Sequence, residues 1–350
     1  MVEDVTIIQV AQAAGVSPAS VSRVLSGSRP VTPEVQHAVR EACARLGYRP
    51  NQIARSLRRR TSEAIGIVVP SIVNPFFPSL IAAVEGRLQG ADYGVLLADS
   101  RNDPRLEAQR IAKLLERQVD GLLVVACELL KSEPALVTAV AAVPVVLIDR
   151  FLPGFEADFV GIDNAAAIGL VIDHVYMLGR RRLAFVGAAG SSPDGCARLH
   201  AFRRVIAMTH GEPAPQISLG EHSIEFGFAA AAELLVAEVL PDAVICANDL
   251  IAIGVVQCFR TRGVRVPEQV AVTGFDDVGF AAVCEPALTT IHQPVQQIGE
   301  RAVDLLLARL DGGNALLEHV LLPPKLVVRA STVSRTCSPS LGRTQQESTE

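Results

Sequence analysis

The segment GVSPASVSRVLSG, residues 15–27, has the apolar spacing of a short amphipathic helix but a surface almost free of long side chains. Ser17 is placed to cap the helix, and Pro18 fits its first turn, where proline is tolerated. Arg23 is the single long polar side chain of the segment. We therefore expect a helix whose outer face lies close against another surface. The apolar residues expected to face inward are Val21, Val24 and Leu25.

Two further helices are predicted on either side of this segment. Thr6–Gln9 fits a capping box for a helix that runs to about Ala14 and is stopped by Gly15. Thr32-Pro33 repeats the cap-and-proline pattern and starts a third helix, which Gly47 ends. Its inner face is expected to consist of Val35, Ala38, Val39, Ala42 and Leu46. Two short helices joined by a glycine turn and braced by a third form a helix-turn-helix arrangement.

The second helix of a helix-turn-helix lies in the DNA major groove, with its N-terminal residues against the base edges. Small residues would let that helix approach the groove floor, and Arg23 is long enough to bind a guanine through two hydrogen bonds. The small residues in question are Ser17, Ala19, Ser20 and Ser22. The alternative is a three-helix bundle with no role in DNA binding.

Charge is distributed unevenly along the chain. Residues 1–60 hold nine arginines against four acidic residues, a balance of +5, whereas the remaining residues hold 23 basic and 33 acidic side chains, a balance of −10. A basic head on an acidic body indicates that the head alone meets a polyanion. A solvated basic surface is the alternative that charge alone leaves open.

Residues 6–60 resemble the DNA-binding head of the LacI/GalR family of bacterial transcription regulators, through TIIQVAQAAGVSPASVSRVLSG, LGYRPN and ARSL. The resemblance implies a linker that becomes helical on operator DNA and inserts Leu57, beside Ala54, into the minor groove, where it unstacks a base step. Arg58, Arg59 and Arg60 would add phosphate contacts. Ordinary packing of Leu57 is the alternative. The residues assigned to DNA are Thr6, Ser17, Ala19, Ser20, Ser22, Arg23, Tyr48, Asn51, Ala54, Leu57 and Arg58.

From residue 64 onward the pattern changes to apolar runs that alternate with helical stretches. AIGIVV, YGVLLA, GLLVV and PVVLI form one series, and RLAFVG, AVICAN and VAVTGFDD form a second. Such alternation predicts parallel strands in doubly wound α/β sheets, and two series predict two similar lobes. GAAGSSPDG follows a strand, but it lacks the lysine of a phosphate-binding loop and the spacing of a dinucleotide fingerprint.

The body also resembles the effector module of the same family, through IGIVVPSIVNPFF, GIDNAAAIGL, the segment from ANDLIAIG to VTGFDD, and ALTTIHQPVQQIGERAVDLLL. That module is similar to periplasmic sugar-binding proteins, with two lobes hinged around a ligand cleft and three chain crossings, here near 162, 293 and 323. The expected domains are a helix-turn-helix domain at 1–50, a hinge at 51–63, an effector and dimerisation domain at 64–332 and a disordered tail at 333–350. Lobe one would comprise 64–162 and 294–322, and lobe two 163–292 and 323–332.

The cleft residues are expected where strands end, because ligands of open α/β folds lie beyond the carboxyl ends of the strands. Carboxylates and amides at such places can accept hydrogen bonds from hydroxyl groups, and an aromatic ring can lie on an apolar sugar face. Helix capping is the alternative for Asn248 and Asp249, and a structural role is the alternative for Asp276. The candidate effector residues are Phe76, Asp149, Arg150, Arg198, His222, Asn248, Asp249 and Asp276.

Two departures from the family pattern bear on the ligand. Arg198 is retained in CARLHAF, but the family's arginine two positions earlier is Cys196, and His222 stands where a Phe or Trp usually covers the ligand. The chain contains no tryptophan at all. A sugar or sugar derivative is the ligand class that the resemblance implies, while a nucleobase or another small polar molecule stays open.

Composition excludes several other classes of protein. The sequence contains no run of 18 apolar residues and no basic-then-apolar start, so neither a membrane span nor a secretory signal is expected. Its seven cysteines are scattered, as in a cytosolic protein with reduced thiols, and no metal, cofactor or catalytic group is predicted. A transporter's solute-binding protein would share the lobes, and an α/β enzyme is the other alternative. We expect instead a nucleoid-associated protein of the bacterial cytoplasm.

A homodimer is expected, because one head contacts half of a near-palindromic operator. The tail SRTCSPSLGRTQQESTE is polar and has one leucine, so it lacks the leucine heptads with which related proteins form tetramers. The sequence therefore predicts a dimer that does not associate further.

Overall fold

The computed structural model divides the chain into two compact units, residues 1–63 and 64–350. Within these units the structure describes residues 5–26, 30–48, 61–188, 192–208, 214–313 and 316–334. The two units are called the head and the body below. Asn51, Ala54, Leu57 and Arg58–Arg60, together with most of the predicted tail, lie outside the described residues.

The described part of the head contains three helices, α1 (Ile7–Ala13), α2 (Pro18–Ser26) and α3 (Pro33–Leu46). The predicted capping box at Thr6 and Gln9 is confirmed. Gly15 and Gly47 both have a φ of 65°, the left-handed conformation that favours glycine after a helix. Thr32 precedes α3, but its side chain makes no capping hydrogen bond to the helix, so that part of the prediction was wrong.

The head is held together by a small apolar core. Val10 of α1, Val21 of α2 and Val39 of α3 are fully buried and belong to one cluster, so each helix contributes to the core. The inward positions predicted in α2 and α3 pack into or against this cluster, except Ala38; they include Val24, Leu25, Val35, Ala42 and Leu46. The spacing of the apolar residues therefore specified the three-helix arrangement correctly.

The body alternates strands and helices along nearly its whole length. Its elements are β1 (Ala64–Val69), α4 (Phe76–Gln89), β2 (Gly94–Asp99), α5 (Pro104–Glu116), β3 (Gly121–Val124), α6 (Glu133–Ala142), β4 (Val145–Ile148), β5 (Asp158–Ile162), α7 (Asn164–Met177), β6 (Leu183–Ala188), α8 (Pro193–Met208), β7 (Gln216–Gly220), α9 (Ile224–Val236), β8 (Ala243–Cys246), α10 (Asp249–Thr261), β9 (Ala271–Thr273), α11 (Gly279–Val283), β10 (Thr290–His292), α12 (Val295–Leu310), β11 (His319–Leu322) and β12 (Lys325–Val327). The alternation had not indicated β5, α7, β7 or any of the elements that follow β9.

Two separate sheets form the centres of two lobes. The first is parallel, with the order β11-β5-β4-β3-β1-β2, and the second is parallel, with the order β7-β6-β8-β9. The order of the first sheet reverses at β1, as in doubly wound folds. Buried residues of α4 and α12 cover one face of that sheet, and those of α5 and α6 cover the other. The predicted fold class is confirmed.

The chain passes between the two lobes at three places. It leaves the first sheet after β5, returns after β10 and leaves again between β11 and β12, where β12 pairs with β10. These passages lie beside the crossings expected near 162, 293 and 323. In the described residues, no helix is both long enough and apolar enough to cross a membrane.

Candidate functional site

A cavity of about 540 Å³ lies between the two lobes of the body. Its walls come from the loops that follow β1, β2 and β4 in one lobe, and from the segment after β7 and the helices α10 and α11 in the other. This is the carboxyl end of the strands, where ligands of open α/β sheets bind. The described residues that line it are Ser71, Val73, Asn74, Pro75, Phe77, Asn102, Arg150, His222, Ser223, Ile224, Glu225, Leu250, Ile253, Phe280, Val283 and Cys284.

Two of the predicted effector residues, Arg150 and His222, belong to this wall. Phe77 and Phe280 are the phenylalanines of the described wall. The predicted Phe76 is not part of that wall; it packs edge-on against Phe77 with ring centroids 5.2 Å apart, and both rings of this pair are largely buried. Both residues begin α4, so their rings point in different directions from one helical turn. Contact of Phe76 with a ligand stays a prediction, and Phe77 is the neighbour that lines the cavity.

A buried cluster of charges lies directly behind the wall. Nε of Arg150 is 3.0 Å from Oδ1 of Asp194, and Nη1 of Arg198 is 3.6 Å from Oδ2 of the same carboxylate. Nη1 of Arg198 is also 3.8 Å from Oδ1 of Asp276. The guanidinium of Arg198 lies 3.5 Å from the ring centroid of Phe275, an arrangement that favours a cation. The cluster therefore joins side chains of both lobes.

The hydrogen bonds of the cluster hold its arginines in place. Arg150 donates to the carbonyl of Ala126 over 3.2 Å, and Arg198 donates to the carbonyl of Ala247 over 2.6 Å and to Oδ1 of Asn164 over 2.8 Å. Each guanidinium thus bonds to the backbone at a strand end in its own lobe. Because buried charges are costly unless paired and hydrogen-bonded, these contacts explain how two arginines remain buried.

The carboxylates of the cluster differ in their affinity for protons. Burial raises the pKa of Asp149 to about 6, with the negative charge of Asp194 adding to the effect. Burial also raises the pKa of Asp276 well above its usual range. For Asp194 burial acts in the same direction, but the charges of Arg150 and Arg198 outweigh it and the pKa of its carboxyl is lowered. Asp194 is therefore the ionised partner of both arginines.

Asp276 is tied to the segment that crosses between the lobes. Gln293, directly after β10, donates a hydrogen bond of 2.8 Å to Oδ1 of Asp276. The next carboxylate, Asp277, accepts from Arg329 over 2.7 Å and lies 3.0 Å from Nδ1 of His292. The tandem aspartates therefore hold the crossing strand, and Asp276 is not among the described residues of the cavity wall.

Asn248 and Asp249 stabilise the structure of lobe two. Oδ1 of Asn248 accepts from the backbone N–H of Ile251 over 2.9 Å and so caps α10, which confirms the capping alternative. Asp249 is fully buried and accepts from the Thr290 hydroxyl over 2.6 Å and from the Val278 N–H over 2.8 Å. Burial raises the pKa of Asp249 to about 7. Both side chains lie outside the described wall of the cavity.

Besides Nε of Arg150, the described wall has one buried polar side-chain atom without a hydrogen-bond partner, and it belongs to His222. Its Nε2 is buried and has no hydrogen-bond partner among the described residues. Burial lowers the pKa of His222 to about 4, so its imidazole is neutral at pH 7. A neutral imidazole nitrogen can donate or accept a single hydrogen bond. This nitrogen can therefore form one further hydrogen bond.

The backbone behind the cavity is set by a close contact between α9 and α10. A Cβ atom on Gly227 would lie 2.1 Å from the carbonyl oxygen of Ile251, and one on Gly254 would lie 2.1 Å from the carbonyl oxygen of Ile224. Only glycine allows such an approach. This contact positions the first turn of α9, next to His222, against the turn of α10 that carries Leu250 and Ile253.

Sequence analysis had missed three members of the site, Asp194, Gln293 and Asn164. Asp194 lies in the first turn of α8, just beyond the end of β6, which is the kind of position that had been used to select the other candidates. Gln293 follows β10 at the expected lobe crossing, and Asn164 begins α7 in a stretch that had not been recognised as helical. The described residues contain no group of side chains that could hold a metal ion.

The described DNA candidates of the head cluster around α2. The side-chain oxygen of Ser17 accepts from the backbone N–H of Ser20 over 3.1 Å, and the two hydroxyls are 3.0 Å apart. Ala19 and Arg23 are exposed, as is Thr6, and Ser22 and Tyr48 are half-buried. The first turn of α2 therefore presents small side chains at the surface of the head, and its last turn presents Arg23.

Comparison with known proteins identifies both parts of the chain. Residues 6–51 match the model of bacterial regulatory proteins of the lacI family, and residues 172–332 match the model of a periplasmic binding protein-like domain. The HTH-type transcriptional repressor PurR of Mannheimia succiniciproducens is 32% identical over 328 residues, covering 93% of this chain and 98% of the relative.

Solved structures of regulators have the same architecture. The crystal structure of the Lac repressor dimer bound to operator and the anti-inducer ONPF has a TM-score of 0.85 and 26% identity, covering 95% of this chain and 100% of that chain. The transcriptional regulator CelR–cellobiose complex has a TM-score of 0.70 and 30% identity, covering 93% and 99%. With a helix-turn-helix head, a two-lobed body and a relative of 32% identity along nearly its full length, the chain belongs to the lacI family of bacterial regulatory proteins.

Proposed function

We propose that this protein is a DNA-binding transcriptional repressor whose affinity for its operator is controlled by a small molecule held between the two lobes of the body. The observation that carries the proposal is the combination, in one chain, of a helix-turn-helix with a small-residue surface on α2 and a cavity between two α/β lobes. The repressor relative of 32% identity supports it. We propose no enzymatic activity and no cofactor.

In the proposed complex α2 enters the major groove. Arg23 contacts a base, while Ser17, Ser20 and Thr6 contact phosphates and Ala19 and Ser22 permit close approach. Tyr48 and Asn51 complete the contacts of the head, and the hinge at 51–63 places Ala54 and Leu57 in the minor groove with Arg58 on the backbone. Residues 51–60 of the hinge lie outside the described part of the chain, and the roles of Ala54, Leu57 and Arg58 follow from the family pattern.

Control by a ligand requires that the ligand bind one lobe arrangement better than another. The cavity wall takes side chains from both lobes, and Arg150 of the wall is paired with Asp194 of the other lobe. A molecule that enters beside this ion pair contacts both lobes at once. It can therefore shift the balance between lobe arrangements, which supports the cavity as the effector site.

For the effector itself, a sugar or sugar derivative is the class that the sequence suggested. The structure of a relative in complex with cellobiose supports that class for the family fold. In this proposal Arg150 and His222 contact the ligand directly. Asp149, Arg198 and Asp276 support the wall from behind, while Asn248 and Asp249 hold α10.

We further propose that the protein acts as a homodimer in the bacterial cytoplasm, at the nucleoid. One head covers half of a near-palindrome, and the solved relative with operator is a dimer. Leu97 on the edge strand β2 and Ile72 in the loop after β1 are exposed apolar side chains that a second copy can cover. Light scattering at micromolar concentration is expected to give a dimer; a stable tetramer would contradict the proposal.

The central experiment is selection of bound duplexes from random DNA by the full chain. We expect enrichment of a near-palindrome whose two halves are related by a twofold axis. Enrichment of no sequence, with binding that depends only on salt, would show that the head is a non-specific polycation and would overturn the proposal. This experiment needs no effector, so its outcome does not depend on the identity of the ligand.

A further inference from the structure

The buried cluster between the lobes contains more carboxylates than guanidinium groups. Arg150 and Arg198 supply two positive charges, whereas the three aspartates of the cluster supply three negative charges when all are ionised. All five side chains are only 2–7% exposed, and the aspartates are Asp149, Asp194 and Asp276. One negative charge is therefore left without a counter-charge at a depth that little water reaches, which is costly.

Asp149 and Asp276 share the charge that the arginines leave unpaired. The closest ion pairs of both arginines go to Asp194, over 3.0 Å from Arg150 and 3.6 Å from Arg198. Oδ1 of Asp276 is 3.8 Å from Nη1 of Arg198. Asp149 forms no direct ion pair with a described residue, although the charges of both arginines act on it. The carboxyl groups of Asp149 and Asp276 are therefore the places where the excess charge resides.

Among the described residues, the neighbouring titratable groups do not supply the missing positive charge. His222, after β7, is neutral at pH 7, because burial lowers the pKa of its imidazole to about 4. Asp249, at the start of α10, is a fourth carboxyl group, and its charge raises the pKa of Asp276 further. The remaining groups beside the cluster are neutral thiols, whose pKa burial raises, or are already bound to Asp277; they are Cys196, Cys246, Arg329 and His292.

Gln293 connects the two carboxyl groups that lack a full counter-charge. Its Nε2 donates to Oδ1 of Asp276 over 2.8 Å, and its side chain is also a hydrogen-bonding neighbour of Asp149. Oε1 of the same amide is buried and has no partner among the described residues. An amide carries both donors and an acceptor, so it can bind an ionised carboxylate and a protonated carboxyl group at the same time. This neighbour suits a pair of carboxyl groups that holds one proton.

The two carboxyl groups come from different lobes. Asp149 follows β4 in lobe one and Asp276 follows β9 in lobe two, and the ion pair of Arg150 with Asp194 joins the lobes in this arrangement. Like charges brought together in a buried site favour the binding of a proton. Burial raises the pKa of Asp149 to about 6 and that of Asp276 well above its usual range. When the lobes part, water reaches both carboxylates and neither needs the proton.

We propose, on the basis of the function inferred above, that the joined lobes hold one proton between Asp149 and Asp276 and release it to water when they part. Because the joined arrangement binds the proton more tightly, a lower pH favours joined lobes and a higher pH favours separated lobes. The proposed effector acts through the same lobe arrangement, so its binding and the binding of the proton are linked. The cleft therefore responds to pH as well as to the effector.

The shared proton is tested by carbon-13 NMR of the full chain labelled at the aspartate Cγ, titrated from about pH 4 to about pH 9. Each signal is assigned by its loss in the corresponding variant. In the wild type the Cγ signals of Asp149 and Asp276 should both respond to one step with a midpoint near or above pH 6, as expected for a coupled pair.

The charge count is tested with matched variants in the same titration. Asp149→Asn leaves two carboxylates for two arginines, so the midpoint of Asp276 should fall by at least about one pH unit, a tenfold loss of proton affinity. Asp276→Asn should lower the midpoint of Asp149 in the same way. The control is Asp304→Asn, which removes the carboxylate paired with Arg87 outside the cluster and should leave both midpoints unchanged.

Small-angle X-ray scattering of the same samples over the same pH range measures the separation of the lobes. We expect the radius of gyration of the wild type to increase as the shared proton is lost. In Asp149→Asn and Asp276→Asn it should stay constant across that step, because neither variant has an excess charge. Melting curves confirm that each variant is folded, and the wild-type titration and scattering test the proposal without any variant.

Three outcomes overturn the inference. Ionisation of both carboxyl groups below about pH 5 would show that the cluster holds no proton. An unchanged titration of Asp276 in Asp149→Asn would show that the proton is not shared, and a radius of gyration that does not follow the titration would show that the proton is not tied to the lobe arrangement. None of these measurements uses DNA, so failure of this inference is distinguishable from failure of the proposed function in the DNA selection.

Discussion

Arg150 and Asp194 form a buried ion pair between the two lobes of the body, with Nε and Oδ1 separated by 3.0 Å. Arg150 follows β4 in the first lobe, and Asp194 lies in the first turn of α8 in the second. Their side chains are 2% and 6% exposed. At such depth neither charge can be solvated by water, so each depends on the other for its stability.

Removal of one partner of this pair should destabilise the body. We expect Asp194→Asn to lower the free energy of unfolding by about 3–5 kcal/mol, because Arg150 would stay buried without a full counter-charge. Urea denaturation followed by circular dichroism measures the loss. The matched control is Glu318→Gln, which removes the carboxylate of the exposed Arg301–Glu318 pair and should cost less than about 1 kcal/mol. Equal losses of unfolding free energy in the two variants would show that the interlobe pair contributes no more to stability than an exposed pair.

Asp249 should make stability depend on pH. Because burial raises its pKa in the folded state to about 7, the folded protein binds a proton there more tightly than the unfolded chain. The contribution of this carboxyl group to the free energy of unfolding is therefore full below about pH 4 and is lost as the pH rises towards 7. The slope of that loss is up to about 1.4 kcal/mol per pH unit. Asp249→Asn removes this titration. In urea denaturation, the free energy of unfolding of the variant relative to that of the wild type should therefore increase between pH 5 and pH 8.

The opposite sign is expected at Asp242, which serves as the control for this experiment. The N–H groups of Arg181 and Arg182 donate to its carboxylate over 3.2 and 3.0 Å and, against the effect of burial, hold the pKa of Asp242 below its usual range. Its contribution is present above pH 4 and lost at lower pH. The free energy of unfolding of Asp242→Asn should therefore decrease relative to that of the wild type as the pH rises from 3 to 5. Parallel profiles for the two variants would contradict the assignment.

Arg23 should determine sequence preference at one base pair. We expect Arg23→Ala to weaken binding to the selected operator by about 1–3 kcal/mol and to relax the preference at a single position of each half-site. The control is Arg40→Ala on α3, an exposed arginine outside the predicted contact set. Fluorescence anisotropy with the operator and with singly substituted duplexes separates the two. A uniform loss over all duplexes for Arg23→Ala would assign that residue to the phosphates instead.

Gly254 should not tolerate even one added methyl group. The new Cβ would lie 2.1 Å from the carbonyl oxygen of Ile224, so α9 and α10 would have to move apart, at a cost of about 1–3 kcal/mol or more. Gly169→Ala, inside α7 with no atom within 4 Å of its Cβ position, is the control and should instead stabilise the helix by about 1 kcal/mol. Thermal melting of both variants decides the point; a stable Gly254→Ala variant would show that the helices can separate freely.

The sequence predicted the architecture well because its signals are local. The capping box at Thr6, the left-handed glycines at 15 and 47, and the apolar periodicity of the first sheet each depend on a few consecutive residues. The short strand β7 was not found, since its burial is only partial along its length and its composition is mixed.

The site was predicted less completely because its contacts are long-range. Arg150, chosen from a strand end, and His222, chosen from the family pattern, both line the cavity. Whether a side chain faces the cavity depends on its direction at the strand end, which spacing does not give. Phe76 and Phe77 differ only in that direction. Asp194 was missed because its importance arises from Arg150, which is 44 positions away in the sequence.

The close backbone contacts at Gly227 and Gly254 fix the helices behind the cavity independently of the side chains that line it. Backbone meets backbone there, so the spacing of α9 and α10 does not depend on which side chains stand at positions 222, 250 and 253. Those positions can be exchanged in the course of evolution, or by a protein engineer, while the helices that carry them stay where they are. A new small-molecule sensor could therefore be obtained from this chain by altering three side chains, with the DNA-binding head and the framework of both lobes left as they are.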